Sequence, residues 1–226
     1  GSLGIAESFC YSIKESGFDA IKFQMHIPEE ESTIDEQFRT NFSFVDKSRY
    51  DYWERTSFTQ DEWSHLVTIS KSLKLKVGIS PFSIKAINLC RDLKVDFIKI
   101  GSGEVFNKEL LNYLDKKDNI VISSGMSTLK ETVEISDFLK PRVNSISIMH
   151  CYSAYPCKDH NLNFIAISEL KKLTNLKVGY SDHSGNINVA MAALANKADS
   201  LEVHFIYSRD MFGPDSKSSL TFKELV

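Results

Sequence analysis

The stretch "FIKIGSGEVF", residues 97–106, decides how the whole sequence is read. Phe97, Ile98 and Ile100 form a short apolar run bounded by Asp96 and Gly101, the pattern of a parallel strand buried on both faces. Lys99 sits in the middle of that run, and Ser102 and Glu104 follow at once. A buried ammonium is stable only beside a carboxylate or an anionic ligand, so this strand should end where charge has a task.

Working outward, the same pattern recurs along the chain. Amphipathic helices predicted at roughly 3–16, 60–73, 83–92, 107–115, 128–138, 162–173 and 186–196 are followed by the strands "DAIKFQM", "KVGISPF", "VDFIKIGS", "NIVISSGM", "SISIMHCY", "KVGYSDH" and "DSLEVHF". Seven strands, each preceded by a helix, have the spacing of consecutive units in a parallel α/β sheet. One long interruption, residues 27–59, is polar and aromatic and reads as a functional loop.

Two parallel architectures fit such an alternation. An open doubly wound sheet gathers ligand groups at one switch point, whereas a (β/α)₈ barrel gathers them from the C-terminal ends of many strands. Here nearly every strand ends in polar groups: Lys22 and Gln24, Ser80, Lys99 with Ser102 and Glu104, Ser123 and Ser124, Ser153 and Tyr155, Ser181 with Asp182 and His183, and Glu202 with His204. The pattern therefore predicts a (β/α)₈ TIM barrel. Seven strands leave the count one short, and because the chain opens on a helix, the missing element is expected to be the first barrel strand.

Composition agrees with a single globular domain: 226 residues, a formal charge of −3 and 42% hydrophobic residues. No basic stripe suggests nucleic acid, no apolar run reaches the length of a membrane span, and "GSLGIAES" has none of the features of a signal peptide, so a cytoplasmic location is expected. No Gly-rich dinucleotide fingerprint or Walker-type loop is present. The four cysteines are irregularly spaced and read as reduced thiols, with Cys151 in "MHCYS" as strand packing.

The polar strand ends suggest two chemistries. Lys22 and Lys99, with the hydroxyls of Ser80, Ser102, Ser123 and Ser181, suit a small multiply charged anion; the structural alternative is a pair of internal salt bridges, with Glu104 as the nearest carboxylate to Lys99 in sequence. His183 and His204 lie on neighbouring strands beside Asp182 and Glu202, an arrangement that suits a divalent transition metal with positions left for water and substrate. His150 reads as structural, and His26, His65 and His160 have no companion that would make them ligands.

The segments "AIKFQ", "ISPFS", "IKIGSGE", "ISSGMST", "HCYSAYP", "VGYSDHSG", "LEVHF" and "FGPDSKSSL" resemble, in order, those of the N-acetylneuraminate (sialic acid) synthases, and the loop "FQMHIPEEEST" resembles their bacterial nonulosonic acid branch. The resemblance implies condensation of phosphoenolpyruvate with an N-acylated aldose such as N-acetylmannosamine. It also implies a homodimer and a divalent ion, manganese first, with magnesium and cobalt as alternatives. By motif, Lys22, Ser80, Lys99, Ser102, Glu104, Ser123 and Ser181 would hold phosphoenolpyruvate, His183 and His204 the metal, and Gln24, Tyr155 and Asp215 would face the sugar. Ser153 stands where many members have asparagine, and Ser80 where many have threonine. Residues 1–226 would be strands 2 to 8 of the family barrel, with its first strand and its C-terminal antifreeze-like domain outside this chain. Glu104 would either orient water or neutralise Lys99. The readings that compete with this one are a Schiff-base aldolase using Lys99 and a non-catalytic sugar-binding barrel.

Overall fold

The computed structural model describes residues 1–38 and 42–226, which fall into two compact units, Gly1–Ile98 and Lys99–Val226. The first unit holds α1 (Leu3–Glu15), β1 (Ala20–Met25), α2 (Pro28–Glu31), α3 (Arg49–Thr56), α4 (Gln60–Ser72), β2 (Lys76–Pro81) and α5 (Ile84–Asp92), and ends inside β3 (Phe97–Ile100). Its strands pair in parallel, with Lys22 opposite Gly78, Gln24 opposite Ser80 and Ile79 opposite Ile98. Ile21 and Met25 of β1 and Val77 and Ile79 of β2 are buried, together with Cys10, Trp63, Leu66, Ile87 and Cys90 from the helices. Lys22 and Gln24 occupy the other face of β1, because side chains alternate along a strand.

The 27–59 connection is more ordered than a simple loop: it contributes α2 and α3, with residues 39–41 outside the described set. His26, which the sequence left without a companion, stacks between Trp53 and Phe82 at centroid distances of 4.4 and 4.2 Å. Its Nδ1 lies 2.7 Å from Glu31 Oε2, while Glu31 Oε1 accepts the backbone N–H of Ile27 at 2.7 Å. Arg55 clamps Asp46 through two bonds of 2.7 and 2.6 Å, and Arg49 pairs with Glu36. These are structural pairings that fix the segment on its own unit.

The second unit continues from β3 through α6 (Lys108–Tyr113), β4 (Asn119–Ser123), α7 (Leu129–Leu139), β5 (Ser145–His150), α8 (Ile165–Thr174), β6 (Val178–Asp182), α9 (Ile187–Ala195), β7 (Leu201–Ile206), β8 (Ser219–Thr221) and α10 (Phe222–Leu225). Its recorded pairs from β4 to β8 are all parallel and follow chain order, with Ile122 opposite Ile148, Ser181 opposite Glu202 and His204 opposite Ser219. β6 is buried at every position, as a parallel strand covered on both faces requires. Strand following helix from β1 to β7 is the (β/α)₈ pattern. All seven predicted strands are present, and β8 is an eighth: three residues, two of them hydroxylated, give no apolar run that a sequence reading could detect. Among the described residues no helix is long and apolar enough to cross a membrane.

Most of the longer helices, α8 excepted, begin at a side-chain cap. Thr128 Oγ1 accepts the N–H of Glu131 at 3.2 Å while Glu131 Oε2 accepts the N–H of Thr128 at 2.7 Å, so α7 has both halves of a capping box. Replacing Thr128 with alanine should cost about 1 kcal/mol in urea unfolding. An unchanged midpoint would show that α7 does not depend on this cap.

Candidate active site

The second unit brings most of the sequence-derived residues together at the ends of its strands. Lys99, 4% exposed, lies in β3, and its Nζ donates to Glu202 Oε1 of β7 at 3.0 Å. The same oxygen accepts the Ser181 hydroxyl at 2.8 Å, because Ser181 and Glu202 are register partners on β6 and β7. The carboxylate at Lys99 is therefore Glu202, not Glu104. Glu104 instead accepts from the Asn107 side-chain amide at 2.8 Å, in the turn that caps α6.

A second cluster is built from hydroxyls. Ser102 Oγ lies 2.8 Å from Ser123 Oγ and accepts from Ser153 Oγ at 2.9 Å. Cys151 Sγ joins it, 3.0 Å from Ser123 and 3.6 Å from Ser102, and the Gly125 N–H donates to Ser123 at 3.3 Å. Gly125 has to be glycine for the cluster to close: a Cβ there would lie 2.2 Å from Ser153 Oγ and 2.3 Å from Ser102 Oγ. Hydroxyls that bond one another can turn their protons toward a ligand, so the cluster is a ready set of donors for oxyanions. Cys151 was read as strand packing and is 5% exposed, yet its thiol is a member of this polar group.

The histidines form the third element. His183 and His204 have ring centroids 5.4 Å apart, and Tyr155 stacks on His183 at 4.3 Å. His183 Nδ1 lies 3.0 Å from the Tyr152 carbonyl, which can only accept, so Nδ1 carries the proton. Nε2, the ring's lone-pair nitrogen, then faces the hydroxyls of Tyr155 and Ser181, each at 3.3 Å. Burial holds the imidazole pKa down to about 4, helped by His204 and Lys99 and opposed by the Tyr152 carbonyl and Glu202. His204 Nδ1 is 3.6 Å from Asp215. The turn carrying His183 is tied by the buried Asp182, which accepts from the N–H and hydroxyl of Ser184 at 3.1 and 2.9 Å. Gly185 in that turn has φ +66°, and a Cβ there would come 2.7 Å from the Lys217 carbonyl.

Lys22, Gln24 and Ser80 belong to the first unit. Lys22 and Gln24 share a face of β1, and Ser80 lies beside Gln24 in the register of β2. Ser80 is 3% exposed, whereas Gln24 is open to solvent.

The depressed His183 pKa has a definite sign. Between about 4 and the unfolded value near 6.5 the unfolded chain binds the extra proton, so stability falls as pH is lowered through that window. In the metal-free protein the His183 ring signals should stay at their neutral positions from pH 8 down to about 5 in an NMR titration. A midpoint near the ordinary histidine value would contradict the buried, Nδ1-protonated assignment.

Comparison with known proteins places this geometry in a family. The NeuB family model matches residues 10–226. The chain is 30% identical to the N,N'-diacetyllegionaminic acid synthase of Campylobacter jejuni subsp. jejuni serotype O:2, over 100% of this chain and 70% of that protein. It is also 30% identical to the pseudaminic acid synthase of Helicobacter pylori, over 97% of this chain and 66% of that one. The chain thus spans about two thirds of the length of these relatives. Among solved structures, the N-acetylneuraminic acid (sialic acid) synthetase of Leptospira borgpetersenii superposes with a TM-score of 0.86 at 25% identity, over 99% of this chain and 75% of that one. A family match over all but the first nine residues, on strands that end in the motifs described above, shows that the chain belongs to the NeuB family.

Proposed function

We propose that this chain carries the catalytic strands of a synthase that condenses phosphoenolpyruvate with an N-acylated aldose, giving a sialic-type nonulosonic acid and inorganic phosphate. The observation that carries the reading is one line of contacts: Lys99 bonded to Glu202, Glu202 bonded to Ser181, and Ser181 Oγ 3.3 Å from Nε2 of the neutral His183, which stands beside His204. It links a buried cation to an imidazole pair, and the Ser102, Ser123 and Ser153 cluster supplies oxyanion donors in the same unit.

In the reaction, C3 of phosphoenolpyruvate forms a bond to the aldehyde carbon and the aldehyde oxygen takes a proton. Water adds its oxygen to C2, and the C2–O bond to phosphate breaks, leaving a ketone and free phosphate. Phosphoenolpyruvate is a weak carbon nucleophile, so the protein must hold it rigidly against the aldehyde. Lys99 and the serines do this through charge-assisted and hydroxyl bonds to phosphate or carboxylate oxygens. Lys22 and Ser80 keep the anion-binding roles that their motifs give them, and Gln24, Tyr155 and Asp215 the sugar-facing ones. Glu104 keeps the role of orienting the water that adds to C2. In this reading the active protein is a cytoplasmic homodimer.

The donor set fits a divalent metal. His183 donates its Nδ1 proton to a carbonyl and stays neutral, the state in which a ligating imidazole is held. No group of three or more histidine, cysteine or acidic residues that could hold a metal is found among the described residues, so water and substrate oxygens would complete the shell around His183 and His204. Nitrogen donors favour manganese or cobalt over magnesium, which prefers oxygen throughout. When bound, such an ion supplies Lewis acidity at the aldehyde oxygen. The Lys99 ammonium, paired with Glu202, supports a charge role rather than a Schiff base, which needs the neutral amine.

The test is phosphate release from phosphoenolpyruvate across a panel of N-acylated aldoses, using the full-length protein. At least one sugar should be turned over, with activity lost on chelation and restored by manganese. Trapping of pyruvate on Lys99 by borohydride would replace this reading with the aldolase one. Gly125→Ala should raise the KM for phosphoenolpyruvate by about tenfold by displacing the Ser102 and Ser153 hydroxyls, while the fold survives. An unchanged KM would remove the cluster from the anion site.

A further inference from the structure

The Glu202 carboxylate competes with any anion that Lys99 would bind. Lys99 is almost entirely buried, and the oxygen that pairs with its Nζ, Glu202 Oε1, is shared with the Ser181 hydroxyl. An anion arriving at Lys99 therefore meets an ammonium already paired with a carboxylate rather than a bare one. Two like charges a few ångströms apart in a poorly hydrated site repel strongly. We propose that Glu202 is a positioning residue that restrains the affinity of Lys99 for its anionic ligand while holding the ammonium in its working orientation. This inference rests on the reading of Lys99 as an anion-binding group.

The physical need is clear from the reaction class. Phosphoenolpyruvate enters and inorganic phosphate leaves, and both are multiply charged oxyanions. A buried lysine with no counter-charge would hold both ground states tightly, which lowers KM without lowering the barrier and slows release of phosphate. Glu202 offsets that attraction uniformly. It also fixes the ammonium: with one carboxylate oxygen bonded to both Lys99 and Ser181, Nζ has little freedom about its long stem. A residue that merely stabilised the fold would have neither effect on anion binding.

The experiment titrates inorganic phosphate by calorimetry into full-length wild type, Glu202→Gln, Glu202→Asp and Lys99→Met proteins, and measures KM and kcat for phosphoenolpyruvate in the first three. The Gln variant keeps an acceptor for Lys99 and Ser181 but removes the charge. It should bind phosphate about tenfold more tightly than wild type, as expected when one negative charge is removed beside the anion. Its KM for phosphoenolpyruvate should fall together with kcat. Equal or weaker phosphate binding, or a raised KM, overturns the proposal. Should the Gln variant fail to fold, Glu202→Ala, which also removes the charge, decides in its place: phosphate should bind more tightly than in wild type, and unchanged or weaker binding overturns the inference, while the Asp variant, which keeps the charge, should bind phosphate about as wild type does. The Lys99→Met protein should lose phosphate affinity. If it binds phosphate like wild type, the anion reading of Lys99 is itself wrong, a result distinct from failure of the Glu202 role alone.

Discussion

The Lys99–Glu202 ion pair is the constraint on which the site depends. An ammonium with 4% exposure has almost no water to solvate it, so the fold must supply a carboxylate within reach, and β7 supplies one at 3.0 Å. Meeting that requirement fixes Glu202, and Glu202 in turn fixes Ser181 through the β6–β7 register. Ser181 then faces His183, whose other nitrogen is tied to the Tyr152 carbonyl. Glu202, Ser181 and His183 are thereby each held between two neighbours, which is how a site built on strand ends keeps its geometry. Such a pair is weak support for stability, since an apolar replacement of both partners can be neutral. Its value lies in placing charge.

The hydroxyl cluster and the imidazole pair obey different physics. Ser102, Ser123 and Ser153 are uncharged and mutually bonded, so they can reorient toward a ligand without stranding a buried charge. His183 cannot take a proton cheaply, because its ring is buried and lies close to both His204 and Lys99. It therefore presents a lone pair at neutral pH. One unit thus carries a donor surface suited to oxyanions and an acceptor nitrogen suited to a metal, and Tyr155 stacks against the latter.

Much of this was legible in the sequence, for physical reasons. A lysine inside an apolar strand is costly, so Lys99 announces itself, and polar strand ends announce Ser102, Ser123, Ser181 and His183 because a parallel strand otherwise stays apolar. The partner of Lys99 was not legible. Glu104 is five residues away along the chain, while Glu202 is 103 residues away and is brought in only by tertiary folding. The tautomer of His183 is set by a backbone carbonyl, which leaves no trace in side-chain identity. Cys151 sits where the chain leaves β5, so an apolar reading of "MHCYS" hid its place among the serines. β8 was missed because three residues carry no periodicity.

The function proposed above requires that an anion bound at Lys99 and a divalent ion bound at His183 and His204 occupy one reaction site. The most direct measurement is the ³¹P resonance of phosphoenolpyruvate bound to the full-length protein, recorded with and without manganese. The account expects strong paramagnetic broadening of the bound phosphate signal, lost in a His204→Gln variant that still binds phosphoenolpyruvate. A phosphate line that manganese leaves sharp, in a protein shown to bind both, would contradict it.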